Sequence, residues 1–151
     1  MYCYNLNSIH GLKGRAHNCC QIAMDNLDLR PSYRHCNRNG STYILWFLRN
    51  VRVQARLTPI YDLQERSEKR WLRHPPILAY DVQLRAKELG YPTASKFARK
   101  HQTGLYLLCM SNHVMVLRNG RLLNAGSVER REVILGAYKV RPKKGNKGKS
   151  L

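Results

Sequence analysis

The sequence predicts an α+β domain in which helices come first and an antiparallel sheet comes second. Before Gly104, apolar residues recur at the three- and four-residue spacing of helices. After Gly104, apolar residues form short strand-like runs instead. Two of these runs flank Asn119-Gly120, a dipeptide typical of the type I′ turn of a tight hairpin. Consecutive helices followed by consecutive strands are characteristic of the α+β class.

The first helix is predicted to begin at Asn18 or Cys19. The stretch CCQIAMDNL places Ile22, Ala23 and Leu27 on one helical face, and Asn18 is a suitable N-cap. Further helices are predicted over residues 41–51, 62–73, 81–90 and 93–101, with Asp81 and Thr93 as caps of the last two. Aromatic and β-branched residues in 41–51 leave a strand as the alternative there. Residues 1–18 and 28–41 are predicted to be irregular.

Strands are predicted over residues 104–110, 113–118, 121–124 and 132–140. A chain of 151 residues is most simply one domain. We place that domain at residues 1–140 and a basic flexible tail at residues 141–151. Phe47, Phe97 and Cys109 are expected in the core.

The charge of the chain is strongly positive. Twenty-seven Lys and Arg against nine Asp and Glu give +18, of which five charges lie in residues 141–151 and +13 on the rest. Such a field favours an acidic protein or the backbone of a nucleic acid as partner, and other virion proteins are further candidates. The candidate contacts are one face of the 93–101 helix and the tail: Lys96, Arg99, Lys100, Arg141, Lys143, Lys144, Lys147 and Lys149.

Membrane and export signals are not expected. No apolar run approaches the ~20 residues that cross a bilayer, and MYCYNLNSIHGLKGR has polar residues where a signal peptide needs its apolar stretch. Five cysteines without a CxxC motif are expected to be reduced thiols. A zinc site at Cys36 with His35 or His10 is the alternative, but its spacing matches no zinc motif, so no metal or cofactor is predicted.

Three residues combine the chemistry of a thiol site. Cys19 is predicted at a helix N-terminus, where the dipole and free N–H groups stabilise a thiolate and a developing oxyanion. His113 begins a strand and is a candidate base. Asn124 lies across the Asn119-Gly120 turn, where it would hold the imidazole in one tautomer. The alternatives are a buried apolar Cys19, a histidine that caps a strand, and an asparagine that ends one; for Cys20 the buried role is favoured.

The sequence resembles the small papain-like proteins of tailed bacteriophages. Their first signature is a G-R, a short spacer and a nucleophilic Cys with Ala four residues later, and it is similar to GRAHNCCQIA (14–23). Their middle segment is similar to RNGSTYILWFLRNV (38–51). Their second signature is a helix, a Gly-x-Tyr strand and a His-containing strand, which resembles TASKFARKHQTGLYLLCMSNHVMVLRNGRLLN (93–124). The resemblance spans about residues 14–126, and the second signature is the specific one.

This resemblance implies a papain-like fold with Cys19 as nucleophile, His113 as base and Asn124 as the residue that orients the ring. Two departures weaken the match. No Gln precedes Cys19 to complete an oxyanion hole, which leaves Asn18 as the substitute. Asn112 also stands where the family ordinarily has Gly before the His.

The implied function is that of a phage cysteine hydrolase, acting on a peptide, isopeptide or amide bond in the host cytoplasm or the virion interior. The alternative is a catalytically silent papain-like scaffold that serves as a basic nucleic-acid-binding or virion-structural protein. A ribosome-associated basic protein fits the KKGNKGK stretch of the tail but not the hairpin signature.

Overall fold

A five-stranded antiparallel sheet lies at the centre of the computed structural model, which describes residues 2–3, 19–30, 42–71, 79–110 and 113–143. Its elements are β1 (Tyr2–Cys3), α1 (Cys19–Asn26), β2 (Thr42–Tyr43), α2 (Ile44–Gln54), β3 (Ala55–Tyr61), α3 (Leu63–Trp71), α4 (Ala79–Glu88), α5 (Ala94–Lys100), β4 (Leu105–Met110), β5 (His113–Arg118), β6 (Arg121–Leu123), α6 (Ser127–Arg131) and β7 (Gly136–Pro142). Helices combined with an antiparallel sheet confirm the α+β class.

The strand order of the sheet is β3-β7-β4-β5-β6. Strands β5 and β6 form the predicted hairpin, in which Arg118 pairs with Arg121. Asn119 and Gly120 have φ of 49° and 82°, as both central residues of a type I′ turn require. The hairpin therefore forms where the Asn-Gly dipeptide predicts it.

Alternating residues divide the sheet into two buried faces. Leu107, Val114 and Val116 pack with residues of α1 and α2, and we call this side the α1 face. On the opposite side, Met115 and Leu117 pack with Phe97 of α5, and we call it the α5 face. Because successive side chains of a strand point to opposite sides, strands covered on both faces are continuously apolar, as in the buried run 106–110.

Two helices follow the predictions closely. Helix α1 begins at Cys19 and buries Ala23 and Leu27, although Ile22 is half-exposed. Helix α5 is capped by Thr93, whose hydroxyl accepts a hydrogen bond from Lys96 N at 3.3 Å. The cap and the buried Phe97 confirm this helix as predicted.

Helix α4 begins two residues before its predicted start. It begins at Ala79, so Asp81 lies inside the helix and is not its cap. Val82 and Ala86 are buried four residues apart, whereas Leu84 and Leu89 are each 45% exposed. The inward face of α4 is therefore formed by Val82 and the small Ala86 and not by the larger leucines.

Strands β1, β2 and β3 and helix α6 were not predicted, since residues 1–18 were expected to be irregular and residues 41–51 to be helical. Pro59 lies within β3, although proline cannot donate a hydrogen bond to a sheet. The strand pairs with β7 alone and is an edge of the sheet, where a missing N–H is tolerated. The sheet therefore does not lie wholly after the helices. Strand β7 also runs to Pro142, two residues beyond the predicted domain boundary.

A buried carboxylate joins two helices to the central strand β7. Glu65 of α3 is 5% exposed. It accepts two hydrogen bonds from the guanidinium of Arg52 at 2.8 and 3.0 Å and one from Tyr138 Oη at 2.7 Å. Burial alone would raise the pKa of Glu65, but these hydrogen bonds outweigh it and hold the pKa below its usual value. Glu65 is therefore a buried, ionised carboxylate that is paired with Arg52.

A second buried acid lies one turn further along α3. Glu68 is 1% exposed, and one of its carboxylate oxygens accepts from Leu45 N at 3.1 Å. Among the described residues, its Oε2 and the Oε1 of Gln64 have no hydrogen-bond partner. Burial raises the pKa of Glu68 to about 7. Because residues four apart on a helix are neighbours, a proton on Glu68 would let Oε2 donate toward Gln64.

Within the parts of the chain described here, none of the helices has the length and apolar character needed to cross a membrane.

Glu68→Gln is expected to change how stability depends on pH. In the folded wild type, a pKa of about 7 keeps Glu68 protonated where an unfolded glutamate is ionised. The wild type therefore loses stability as pH rises from about 4.5 to about 7, by on the order of 3 kcal/mol. The variant lacks this loss, so its free energy of unfolding should rise relative to that of the wild type between about pH 4.5 and about pH 7. Urea unfolding at each pH measures this difference. Glu88→Gln, at an exposed position, controls for removing one acid, and a pH-independent difference for Glu68→Gln would contradict the assignment.

Candidate functional site

His113 is the first residue of β5 and is 5% exposed. It pairs in register with Met110, which belongs to the α5 face. The histidine is therefore held at the N-terminal end of a central strand, where burial removes most of its contact with water. A buried imidazole in a rigid sheet has a restricted orientation.

The hydrogen bond of His113 identifies its tautomer. Nε2 lies 3.0 Å from the main-chain oxygen of Asn124. A carbonyl oxygen can only accept, so Nε2 carries the proton and donates. In the neutral ring, Nδ1 then has a free lone pair, and no described residue hydrogen-bonds to this buried atom. An imidazole with one nitrogen anchored and the other unprotonated can act as a general base.

Burial also keeps the ring neutral. Desolvation lowers the pKa of His113 below the ordinary value, against smaller opposing effects of the Asn124 carbonyl and of Glu129. A lowered pKa favours the neutral form at physiological pH. The neutral ring therefore keeps Nδ1 unprotonated at physiological pH.

Asn124 contributes its main chain to this arrangement. Its φ is 61°, a left-handed conformation that asparagine tolerates better than most residues, and its side chain is exposed. The sequence predicts that the side-chain amide of Asn124 orients the ring, whereas the observed acceptor is its main-chain carbonyl oxygen. The residue whose carbonyl oxygen contacts the His113 ring thus has a left-handed backbone conformation, just after the end of β6.

Cys19 is the first residue of α1; its side chain and all of Asn18 lie outside the described residues. The direction of α1 is clear from its other end, where the carbonyl oxygen of Asn26 accepts a hydrogen bond from Arg118. Arg118 is the last residue of β5 and His113 the first. Helix α1 packs along β5, so its N-terminal end is directed toward the His113 end of the strand.

The two candidate residues belong to different sides of the sheet. Helix α1 covers the α1 face through Val114 and Val116, and the pairing of His113 with Met110 assigns the histidine to the α5 face. A contact between Cys19 and His113 would therefore form around the N-terminal end of β5 and not across a sheet face. The described residues thus place helix α1 and the His113 side chain on opposite faces of the sheet.

Two other thiols are placed as core residues. Cys20 is 4% exposed and packs on the α1 face, as expected for a small apolar residue. Cys109 is 1% exposed, and burial raises the pKa of its thiol. A buried thiol with a raised pKa is a poor nucleophile. Neither Cys20 nor Cys109 is therefore suited to attack a substrate.

The candidate basic contacts are exposed where they are described. Lys96, Arg99 and Lys100 lie on the side of α5 opposite its buried residues. Arg141 and Lys143 are also exposed, while Lys144, Lys147 and Lys149 lie outside the described residues. The predicted clustering on one face of α5 is thus present.

No metal-binding group of three or more His, Cys, Asp or Glu side chains occurs in the described ranges. The zinc candidates Cys36, His35 and His10 lie outside those ranges. From the sequence, Glu65 is expected as a surface partner of Lys69 four residues later, and burial of Glu65 and Glu68 is not indicated. Acidic residues in the first part of a helix are also typical of helices exposed to solvent. Only the packing of α3 shows that Glu65 and Glu68 are buried.

Comparisons with protein-family models, with curated proteins and with solved structures found no match to this chain.

Nitrogen chemical shifts should distinguish the tautomers of two histidines. His113 is expected to be protonated on Nε2. His101 is expected to be protonated on Nδ1, since its Nδ1 lies 2.9 Å from the Phe97 carbonyl oxygen. Burial should move the titration midpoint of His113 below 6.5. ¹⁵N-detected NMR across a pH series measures both properties, and a neutral His113 protonated on Nδ1 would contradict the assigned base.

Proposed function

We propose that this chain is a papain-like thiol hydrolase, similar to the small papain-like proteins of tailed bacteriophages. The observation that carries the proposal is the state of His113: a buried neutral ring that donates its Nε2 proton to the Asn124 carbonyl oxygen, while no described residue hydrogen-bonds to Nδ1. This is the arrangement that a general base for a thiol requires. The proposed bond is a peptide, isopeptide or other amide, and the proposed setting is the host cytoplasm or virion interior.

In the proposed reaction, Nδ1 of His113 takes the thiol proton of Cys19 and the thiolate attacks the carbonyl carbon of the amide. The N–H groups at the start of α1 and the helix dipole stabilise the negative charge on the carbonyl oxygen. His113 returns the proton to the departing amine, which leaves an acyl group on Cys19. Water then releases the acid, with His113 again acting first as base and then as acid.

The role proposed for Asn124 follows from its carbonyl oxygen. Hydrogen bonding at Nε2 keeps the proton on the nitrogen that does not face the reaction, and it favours the imidazolium once that forms. A main-chain acceptor performs this role whatever side chain occupies position 124. The substrate or its carrier is proposed to be acidic, because a field of +18 attracts anions.

Alkylation rates test the proposed pair. At pH 6, iodoacetamide is expected to modify Cys19 at least tenfold faster than Cys20 or Cys109, because thiolate and not thiol reacts. His113→Ala should abolish this selectivity. Peptide mass spectrometry over a time course measures each cysteine separately.

Asn124→Gly is the matched control in the alkylation experiment. It removes the side chain but keeps the carbonyl, and glycine adopts the left-handed conformation freely. Selective labelling should therefore survive in Asn124→Gly. Uniform slow labelling of the wild type, or unchanged selectivity in His113→Ala, would contradict the thiol site.

A second candidate function is that of a basic scaffold that binds nucleic acid. It is favoured by Lys96, Arg99 and Lys100, which are exposed together on α5 and form no ion pair with a described acid. We define these three residues as the α5 basic face. In this proposal the histidine and cysteine are retained without turnover, and the cations contact phosphates.

Replacing the α5 basic face with glutamine should weaken nucleic-acid binding. The triple variant Lys96→Gln/Arg99→Gln/Lys100→Gln removes up to three phosphate contacts, so the slope of log affinity against log salt should shrink by about 2 for a single strand. Fluorescence anisotropy with a labelled oligonucleotide at several salt concentrations measures the slope. A slope equal to that of the wild type would exclude this face.

A further inference from the structure

Two arginines lie directly opposite each other on neighbouring strands. Arg56 of β3 and Arg141 of β7 are cross-strand partners, and both side chains are exposed. Opposite residues in an antiparallel pair have Cβ atoms about 5 Å apart, and like charges at this separation destabilise the sheet. The pair therefore carries a local cost in stability that an anion between the two guanidinium groups would remove.

Further cations lie beside this pair. Lys139 is two residues from Arg141 on β7, hence on the same side of the strand, and its partner on β3 is the exposed Thr58. Lys143 is exposed and follows the end of the strand. We call Arg56, Lys139, Arg141 and Lys143 the sheet basic surface. It combines two strands that are far apart in sequence.

The described acids do not neutralise this surface. None of its four cations forms an ion pair with an acidic side chain of the described residues. Asp62, which directly follows β3, pairs with Arg66, and Glu65 is buried with Arg52. The repulsion between the opposed arginines is therefore left without compensation from these acids.

The sheet basic surface adjoins the helix that carries the α5 basic face. His101 follows the last residue of α5 and contacts Tyr106 with ring centroids 5.0 Å apart. Tyr106 is the strand partner of Lys139. A ligand that extends along the sheet basic surface is thus directed toward the C-terminal end of α5.

We propose that the sheet basic surface binds the phosphate backbone of a nucleic acid, with Arg56 and Arg141 contacting neighbouring phosphates. Guanidinium groups bind phosphate oxygens through two parallel N–H donors. Lys139 and Arg141 repeat along the strand at about 6.7 Å, so the cations form a row on an open sheet. A row of this kind suits a polymer that carries a charge at every unit, whereas a peptide would need a dense acidic run to match it.

The assignment rests on the nucleic-acid part of the second candidate function and goes beyond it, because it names a different surface and two residues, Arg56 and Lys139, that the sequence did not indicate. Binding would neutralise the opposed charges at the moment of contact. The surface would track the backbone and would not select a base sequence.

The test compares two double variants of the full chain that lose the same charge. Arg56→Gln/Arg141→Gln removes the opposed pair. Arg66→Gln/Arg85→Gln removes two exposed arginines that are already paired with acids.

Binding is measured by fluorescence anisotropy from 50 to 400 mM salt. The labelled ligands are a 20-nucleotide single strand, the matching duplex and a polyglutamate peptide. For the single strand at 0.1 M salt, the first variant is expected to bind roughly 10- to 30-fold more weakly, with a slope reduced by about 1.4, and the second to bind within about twofold of the wild type.

A stability measurement separates loss of contact from loss of fold. Arg56→Glu places an acid opposite Arg141, which should raise the melting temperature at low salt because an opposite-charge pair replaces a like-charge pair. The same variant should bind nucleic acid more weakly than the wild type. Opposite changes in melting temperature and affinity are the signature of a binding surface that is maintained against stability.

The outcomes distinguish the two proposals. Unchanged affinity in Arg56→Gln/Arg141→Gln, with affinity lost on replacing the α5 basic face, would overturn the sheet surface and leave the second candidate function standing. Failure of the wild type to bind either oligonucleotide at 50 mM salt would overturn both. Tighter binding of polyglutamate than of either oligonucleotide would overturn the nucleic-acid assignment in favour of an acidic protein.

Discussion

The buried carboxylate of Glu65 is the constraint on which the arrangement of helices and sheet depends. It is hydrogen-bonded by Arg52 of α2 and by Tyr138 of β7, and Lys69 lies 3.3 Å from it. Burial raises the pKa of Tyr138, so its hydroxyl stays protonated and donates. A buried charge is tolerated only when it is paired and hydrogen-bonded. Displacement of α2, α3 or β7 would remove buried hydrogen bonds to that charge, so the three elements hold one another in position.

The position of α2 determines the position of β3, because the strand begins at Ala55, immediately after the helix ends at Gln54. The register of β3 against β7 is what sets Arg56 opposite Arg141. A buried interaction on the α1 face thus accounts for a charged arrangement on the other side of the sheet. The proposed polyanion surface is a consequence of how the core is assembled.

The candidate thiol site could be predicted from the sequence in its residue types but not in its geometry. Cys19 does begin α1, and His113 does begin β5. The spacing could not show that the anchor of His113 is the main chain of Asn124, because that contact depends on a left-handed residue after β6. Nor could it show that α1 and the histidine belong to different faces, since a face is assigned by register, and register depends on strand pairing.

The sequence by itself determined the α+β class, helices α1 and α5, and the Asn119-Gly120 hairpin, because caps, apolar spacing and turn residues are local signals. It also determined the excess of positive charge. Only the tertiary structure decided that β3 is an edge strand despite Pro59, and that Glu65 and Glu68 are buried. The same holds for the opposition of Arg56 and Arg141. Each of these depends on partners distant along the chain, and local patterns carry no information about which distant segments meet.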